Sequence, residues 1–281
     1  MGACKGACSH FLGLGARGRG RPEILLYHRR SILSRKKLEK KIILFFPKTI
    51  DNLTKRWYYV CTKRKEKNTM KNIYEHIDYT LLKATTTNED IWNLCEKAVE
   101  KGCASVCIPS CYVPFVHDFF PTLKICTVVG FPLGNSNTEA KVEEAVSAVY
   151  DGVHEIDMVI NIANMKNGNY HLVRKEIETI YKKIKEIDNG VILKVIIETC
   201  YLTENEIAIA TKIVDNSSAE YVKTSTGFGT RGASFKDIEI MKANIHNGTK
   251  IKASGGIRTK EDMEKYLEMG CDRIGASTLP K

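Results

Sequence analysis

Eight short apolar segments alternate with amphipathic segments from Met70 to the end of the chain. Short apolar runs bounded by turn residues predict buried strands, and apolar residues at helical spacing predict helices that pack on a sheet. The predicted strands lie within residues 76–82, 104–110, 124–130, 154–161, 192–198, 219–227, 250–258 and 273–277. The predicted helices span residues 88–101, a short piece after 113, and 138–151, 170–188, 203–215, 234–244 and 259–269.

Eight strands with intervening helices over residues 70–281 fit an α/β fold of the (β/α)8, or TIM-barrel, type. A doubly wound open sheet is the alternative. Such a sheet more often carries a Gly-x-Gly-x-x-Gly turn after its first strand, and residues 79–87 contain no glycine. The sequence ends at Lys281, before the helix that would follow the eighth strand. We therefore predict a barrel over residues 70–281 that lacks its last helix.

The basic charge of the chain is concentrated before the predicted barrel. Residues 1–69 contain 18 Lys or Arg and 4 Asp or Glu, a net charge of +14. Since the whole chain has a net charge of +10, residues 70–281 carry −4. We therefore predict a basic N-terminal extension over residues 1–69, and the overall charge gives no reason to expect the barrel to bind nucleic acid.

The extension is open to more than one interpretation. Its acid-poor, Lys/Arg-rich composition is typical of an organellar transit segment. If translation instead starts at Met70, residues 1–69 are only an upstream extension of the reading frame. A third interpretation is that the Gly/Arg-rich residues 13–21 bind RNA. Its longest apolar run, residues 42–46, is much shorter than the roughly 20 residues that cross a membrane. We expect a cytoplasmic protein, or an organellar one if the extension targets it.

The cysteines follow no disulfide or zinc pattern. Cys103, Cys107 and Cys111 are four residues apart across a predicted strand and its turn, whereas zinc-binding cysteine pairs usually have two intervening residues. We therefore expect a reduced, intracellular protein with no metal site.

Side chains alternate along a strand, so the apolar neighbours of a polar residue indicate which way it points. This rule turns the following polar residues towards the barrel interior: His76, Asp78, Thr80, Asp157, Asn161, Lys194, Glu198, Lys223, Ser225, Lys252 and Ser254. Three buried lysines destabilise the fold unless they are paired with carboxylates or used in chemistry. Structural salt bridges explain Lys194, whereas Lys223 and Lys252 lie on adjacent strands near their carboxyl ends, where barrel active sites form. A neutral lysine there is a nucleophile that forms a Schiff base with a carbonyl.

Glycine-rich turns follow the same strands. Gly255 and Gly256 end the seventh strand, and Gly275 to Ser277 close the eighth. Backbone N–H groups after these strands of a barrel commonly bind phosphate, and Arg258 adds a positive charge. The sequence therefore predicts a phosphate site beside the two lysines.

Five motifs in these segments resemble those of the deoxyribose-phosphate aldolase family of class I, Schiff-base aldolases. They are IDYTLLK at 77–83, EIDMVIN at 155–161, LKVIIET at 193–199, YVKTSTGFG at 221–229 and KASGGIRT at 252–259. The resemblance covers residues 72–279 in the right order. It implies reversible cleavage of 2-deoxy-D-ribose 5-phosphate to D-glyceraldehyde 3-phosphate and acetaldehyde, in deoxyribonucleotide and carbohydrate catabolism.

The resemblance also implies roles for individual residues. Lys223 would form the Schiff base, Asp157 would donate and accept protons, and Lys252 would be the cation that favours the neutral amine at Lys223. Asp78 would join the proton relay. The residues placed around the substrate are Thr80, Cys107, Gly227, Gly255, Gly256, Arg258, Gly275 and Ser277. No metal or other cofactor is implied, the partner is a small phosphorylated sugar rather than nucleic acid or membrane, and a homodimer is common for such barrels.

Two departures accompany the resemblance. Phe228 stands where some members carry a lysine, and a C-terminal tail that ends in a tyrosine in some members is absent. The alternative functions are another class I aldolase or transaldolase-like barrel, which would act on a ketose, and a barrel that binds a sugar phosphate without catalysis.

Overall fold

The computed structural model describes residues 73–280, and everything below refers to that part of the chain. The predicted boundary after residue 69 and the interpretations of the basic extension lie outside the described residues.

Eight parallel strands close into a barrel in the order of the sequence. The strands are β1 Ile77–Thr80, β2 Ser105–Cys107, β3 Ile125–Val129, β4 Glu155–Val159, β5 Ile192–Ile196, β6 Tyr221–Lys223, β7 Lys250–Ser254 and β8 Arg273–Ala276. The barrel closes where Ile77 of β1 pairs with Ile274 of β8. The predicted (β/α)8 architecture is confirmed.

Helices connect the strands on the outside of the barrel. They are α1 Asn88–Lys101, α2 Val113–Phe119, α3 Thr138–Tyr150, α4 Ile162–Lys166, α5 Tyr170–Ile187, α6 Glu204–Asp215, α7 Phe235–Ala243 and α8 Lys260–Glu268. Within residues 73–280 no helix follows β8. None of these helices is both long enough and apolar enough to span a bilayer.

Local sequence fixes where the helices begin and end. Thr87 and Asp90 form a capping box at the start of α1, in which each side chain accepts a hydrogen bond from the other residue's backbone N–H. At the other end of α1, Gly102 adopts φ +72°, a left-handed conformation that glycine accepts without steric strain. Capping boxes also start α6 and α7. These signals explain why the predicted helix bounds agree with the structure to within a residue.

The core between barrel and helices is apolar. On β4, Ile156 and Met158 are completely buried on the helix-facing side. Burying one such side chain stabilises the fold by about 1.5–3 kcal/mol. This outer layer leaves the opposite face of each strand free to carry polar groups into the barrel interior.

The structure corrects two predictions at the carboxyl ends of the strands. Asn161, predicted to face the interior from β4, lies beyond the strand, and its Oδ1 accepts a hydrogen bond from the Asn164 backbone N–H at 3.1 Å. It therefore caps α4, a short helix that the apolar pattern did not predict. The sixth strand, predicted within 219–227, ends at Lys223, because the chain then turns and Thr226 bonds to Glu198.

Candidate active site

Asp157 on β4 is the centre of a buried charge network inside the barrel. The ammonium nitrogens of Lys223 and Lys252 each lie 2.7 Å from its Oδ2. Lys194 Nζ donates to the other oxygen, Oδ1, at 2.9 Å. Side-chain alternation on β4 to β7 thus brings three lysines from three different strands onto one carboxylate.

Asp78 on β1 extends the network towards β8. Lys252 Nζ lies 2.5 Å from Asp78 Oδ2, and the Ser105 hydroxyl donates to Oδ1 at 2.7 Å. Arg273 donates to the same Oδ1 and forms a second ion pair of 3.2 Å with Glu155. Lys252 therefore bridges Asp78 and Asp157.

The network contains more cations than carboxylates. Its four cations are Lys194, Lys223, Lys252 and Arg273, and its three carboxylates are Asp78, Glu155 and Asp157. Lys194 pairs with all three carboxylates and Lys252 with two, whereas Lys223 pairs with Asp157 alone. A fully charged network would carry one uncompensated positive charge in a buried place, which is costly. Lys223 is the lysine with the fewest carboxylates to hold its proton.

The cations keep both aspartates ionised. Burial alone would raise the pKa of Asp157, but Lys194, Lys223 and Lys252 hold it well below its ordinary value. Burial also opposes ionisation of Asp78, yet Lys252, Lys194 and Arg273 lower its pKa. Both groups are therefore carboxylates at neutral pH.

The carboxylates in turn keep two of the lysines charged. Burial lowers the pKa of the Lys252 ammonium, but Asp157 and Asp78 outweigh that effect and raise the pKa above its ordinary value. The pKa of Lys194 is also raised against the effect of burial, first by Asp157. Lys252 is accordingly a permanent cation beside Lys223.

Two buried thiols lie against Asp157. Cys126 donates to Asp157 Oδ1 at 3.2 Å and accepts from Lys194 Nζ at 3.3 Å. Burial raises the pKa of the Cys126 thiol well above its ordinary value, whereas the interaction with Cys126 lowers the pKa of Cys107. Cys107 ends β2 and pairs in register with Thr80, whose hydroxyl donates to the Asp78 carbonyl at 2.8 Å.

The same thiols and Asp157 are the described residues that come nearest to a metal site. One ligand atom from each of Cys107, Cys126 and Asp157 lies within 4.8 Å of the others. Both Asp157 oxygens already accept hydrogen bonds from ammonium groups. A divalent cation would have to displace those ammonium groups, so the donor set suits lysine chemistry better than metal binding.

The glycine turns pack tightly at the carboxyl ends of β6 and β7. Gly227 and Gly255 both have positive φ, +88° and +86°. A Cβ atom on Gly255 would lie 2.8 Å from the Gly232 Cα and 3.4 Å from the Gly227 Cα. Gly275 is equally constrained, because its Cβ would lie 2.8 Å from the Ser254 Cβ. Only glycine lets these backbone segments approach each other so closely.

The other predicted substrate-binding residues lie at the same end of the barrel but outside the buried charge network. Gly256, Arg258 and Ser277 are exposed in the segments after β7 and β8. Within residues 73–280 no hydrogen bond or ion pair joins Arg258 or Ser277 to the buried network. The structure therefore brings the four predicted catalytic residues into contact and leaves these three on the rim.

Sequence reasoning missed Glu155, Arg273 and Cys126, all of which contact the network. The alternation that places Asp157 inside also places Glu155, two residues earlier, inside. Arg273 lies two residues before Gly275 on β8, so the same rule places it inside. Cys126 lies in an apolar run, where a thiol cannot be distinguished from any other small buried side chain.

Comparison with known proteins identifies the family of the chain. The model of the DeoC/LacD family of aldolases matches residues 69–278. The chain belongs to this family. It is 49% identical over 206 residues to a deoxyribose-phosphate aldolase of Clostridium botulinum (strain Alaska E43 / Type E3), an alignment that covers 73% of this chain and 91% of the relative.

Solved structures show the same relationship. The barrel superimposes on the aldolase QR15 with a TM-score of 0.70 and 37% identity, covering 74% of this chain and 92% of that one. The tetrameric deoxyribose phosphate aldolase of Aeropyrum pernix gives a TM-score of 0.66 and 30% identity, with coverage of 73% and 86%. The predicted family and activity are confirmed: the chain is a class I aldolase, a carbon–carbon lyase with deoxyribose-phosphate aldolase activity.

Proposed function

We propose that the chain cleaves the C2–C3 bond of 2-deoxy-D-ribose 5-phosphate through an imine on Lys223. The proposal rests on one contact: Lys223 and Lys252 both donate to the same oxygen of Asp157. Lys223 is also the last residue of β6, at the end of the barrel where substrates enter. Of the three lysines it pairs with the fewest carboxylates, so it is the one best placed to act as a neutral amine.

The reaction follows from these positions. The neutral Lys223 amine attacks the C1 aldehyde and water leaves, which gives a protonated imine. The C3 hydroxyl then loses its proton to Asp157, directly or through a water molecule, while the C2–C3 bond breaks and its electrons pass into the imine. Glyceraldehyde 3-phosphate departs, the enamine takes up a proton at C2, and hydrolysis releases acetaldehyde and the free lysine.

The neighbouring charges support each step. Lys252 stays charged and close, and this favours the neutral form of Lys223 before attack. Because it bridges Asp157 and Asp78, it also connects the proton acceptor to a second carboxylate. Lys194 is fully buried behind Asp157, and we assign it a structural role.

The glycine turns supply the substrate's second attachment. We infer that the phosphate binds at Gly227, Gly255, Gly256 and Gly275, with Arg258 and Ser277 on the rim and Thr80 and Cys107 beside the reacting carbons. Backbone N–H groups bind phosphate without needing a charged side chain of their own. The imine itself accepts the electrons of the broken bond, so we infer that the reaction needs neither metal nor organic cofactor.

Assembly and location extend the proposal. The Aeropyrum pernix relative is a tetramer, and we infer that this chain also self-associates, with a homodimer as the smallest unit. We infer a cytoplasmic location, or an organellar one if residues 1–69 direct it there. Light scattering of the full chain tests self-association, and a mass equal to one chain would contradict it.

The test of the reaction is a substrate panel with the full chain. Acetaldehyde released from 2-deoxyribose 5-phosphate is reduced by alcohol dehydrogenase, and the loss of NADH is followed. We expect turnover of this aldose phosphate and none of the corresponding ketose phosphates. Preference for a ketose would instead indicate a transaldolase-like enzyme, and binding without any turnover would indicate a non-catalytic barrel.

A further inference from the structure

Glu198 has an unusual backbone for a buried charged residue. It follows β5 with φ +51° and ψ +68°, in the left-handed region that side chains other than glycine rarely adopt. Among residues 73–280 only Ser218 shares a positive φ without being glycine. The Glu198 side chain is 1% exposed. A strained, buried carboxylate persists only where surrounding contacts hold it in place.

Those contacts join Glu198 to the turn after β6. Its Oε2 accepts hydrogen bonds from both the backbone N–H of Thr226, at 3.1 Å, and the Thr226 hydroxyl. The same hydroxyl oxygen accepts from the Phe228 backbone N–H at 3.0 Å. One carboxylate thereby fixes the backbone of residues 226–228, which begin three positions after Lys223.

This turn lies directly against the glycines after β7. A Cβ atom on Gly227 would lie 3.8 Å from the Gly255 Cα, and one on Gly255 would lie 3.4 Å from the Gly227 Cα. The two glycine turns are thus close neighbours, with room for about one added carbon atom between their Cα atoms. Moving the 226–228 turn would change their spacing.

We propose that Glu198 is a positioning residue for the substrate's phosphate. It holds the 226–228 turn against Gly255, so that the two glycine turns present their backbone to one phosphate group. This inference rests on the proposed function, because it concerns the phosphate of the same substrate. Glu198 acts through Thr226 and takes no part in the imine chemistry at Lys223.

The test separates phosphate binding from imine formation. KM and kcat are measured for 2-deoxyribose 5-phosphate, and borohydride trapping at Lys223 is measured with acetaldehyde, which carries no phosphate. In Glu198→Ala we expect KM to rise about tenfold, because the displaced turn would cost the phosphate about one hydrogen bond from the backbone. The rate of acetaldehyde trapping should stay at the wild-type value. Glu198→Gln keeps one acceptor oxygen and should show a smaller rise in KM.

Asp215 provides a matched control. It is also a buried carboxylate, and it fixes a turn by accepting from the backbone N–H groups of His246 and Asn247, near the amino end of β7. Asp215→Asn should lower the melting temperature without changing the KM for the phosphorylated substrate. If Asp215→Asn and Glu198→Ala raise KM equally, the effect is general loosening and the inference is wrong.

A second variant covers the case in which Glu198→Ala does not fold. Thr226→Val removes the hydroxyl that links Glu198 to Phe228 and should raise KM with unchanged trapping, whereas Thr226→Ser should restore the wild-type KM. Equal loss of cleavage and trapping, or no change in KM in any variant, would overturn the inference. Absence of both cleavage and trapping in the wild-type chain would instead overturn the proposed function.

Discussion

Lys223 and Lys252 donate to the same oxygen atom, Asp157 Oδ2, each across 2.7 Å. Their ammonium nitrogens are therefore at most 5.4 Å apart, twice that distance. Two cations at this separation repel each other even when they share a carboxylate. Lys252 pairs with a second carboxylate, Asp78, and Lys223 does not. We infer from this asymmetry that Lys252 remains the cation and Lys223 acts as the nucleophile.

Replacing Lys252 tests this division. Two unit charges about 5 Å apart repel by about 3 kcal/mol at an effective dielectric constant of about 20. In Lys252→Leu that repulsion is lost, so imine trapping at Lys223 at neutral pH should be at least about tenfold slower. Lys252→Arg keeps the charge in a planar group and should recover part of the trapping rate. A Leu variant with an unchanged trapping rate would show that Lys252 does not influence Lys223.

Asp157→Asn should separate imine formation from bond cleavage. An amide cannot accept the C3 hydroxyl proton, and loss of a positioned general base typically lowers turnover by about 10²–10⁴-fold. Trapping of acetaldehyde on Lys223 should persist, because the nucleophile in imine formation is the lysine amine and not the Asp157 carboxylate. If turnover and trapping are both retained, Asp157 is not the proton acceptor.

Stability should fall in acid because of the two depressed carboxyl groups. The folded-state pKa values of Asp78 and Asp157 lie below their ordinary values. Their contribution to the free energy of unfolding is therefore complete above the unfolded-state pKa of about 3.9 and is lost as the pH falls towards the folded-state values. The raised pKa of Lys252 works in the opposite direction: its contribution is complete below about pH 10.4 and declines only above that.

Urea unfolding at several pH values measures these contributions. We expect the free energy of unfolding to drop below about pH 4 in the wild-type chain. Asp78→Asn should be less stable at pH 7 by about 3–5 kcal/mol, since it leaves buried cations without a partner. Its stability should depend less on pH below 4. An equally steep acid dependence in the variant would mean that Asp78 is not a depressed carboxylate.

Lys194→Met distinguishes a structural lysine from a catalytic one. The ammonium of Lys194 pairs with Asp78, Glu155 and Asp157, so its removal should destabilise the fold by about 3–5 kcal/mol. The protein that remains folded at low temperature should still trap acetaldehyde on Lys223. Normal stability combined with complete loss of trapping would contradict the structural role.

The sequence was sufficient to predict the fold and five of the residues that meet at its centre. Alternation along the strands predicted the interior positions of Asp78, Asp157, Lys194, Lys223 and Lys252, and the structure places all five there. This works because a strand has a strict period of two and its helix-facing side must be apolar. Helix bounds were predictable for a similar reason, since capping residues are local signals.

Contacts between loops could not be predicted in this way. Glu198 and Thr226 are 28 residues apart, and neither periodicity nor a cap relates them. Asn161 was assigned to the interior because alternation was extended past the end of β4, where the chain already turns into α4. The period-two rule holds only while the backbone stays in the sheet.

Borohydride reduction of the full chain in the presence of acetaldehyde or 2-deoxyribose 5-phosphate, followed by peptide mass mapping, identifies the lysine that forms the imine. Lys223 is the lysine at the end of β6 with a single carboxylate partner, so we predict one adduct per chain, on the peptide that contains Lys223. The peptides that contain Lys194 and Lys252 should stay unmodified, because their ammonium groups are held by several carboxylates. An adduct mainly on Lys252 or Lys194, or no adduct at all, would show that Lys223 is not the Schiff-base lysine.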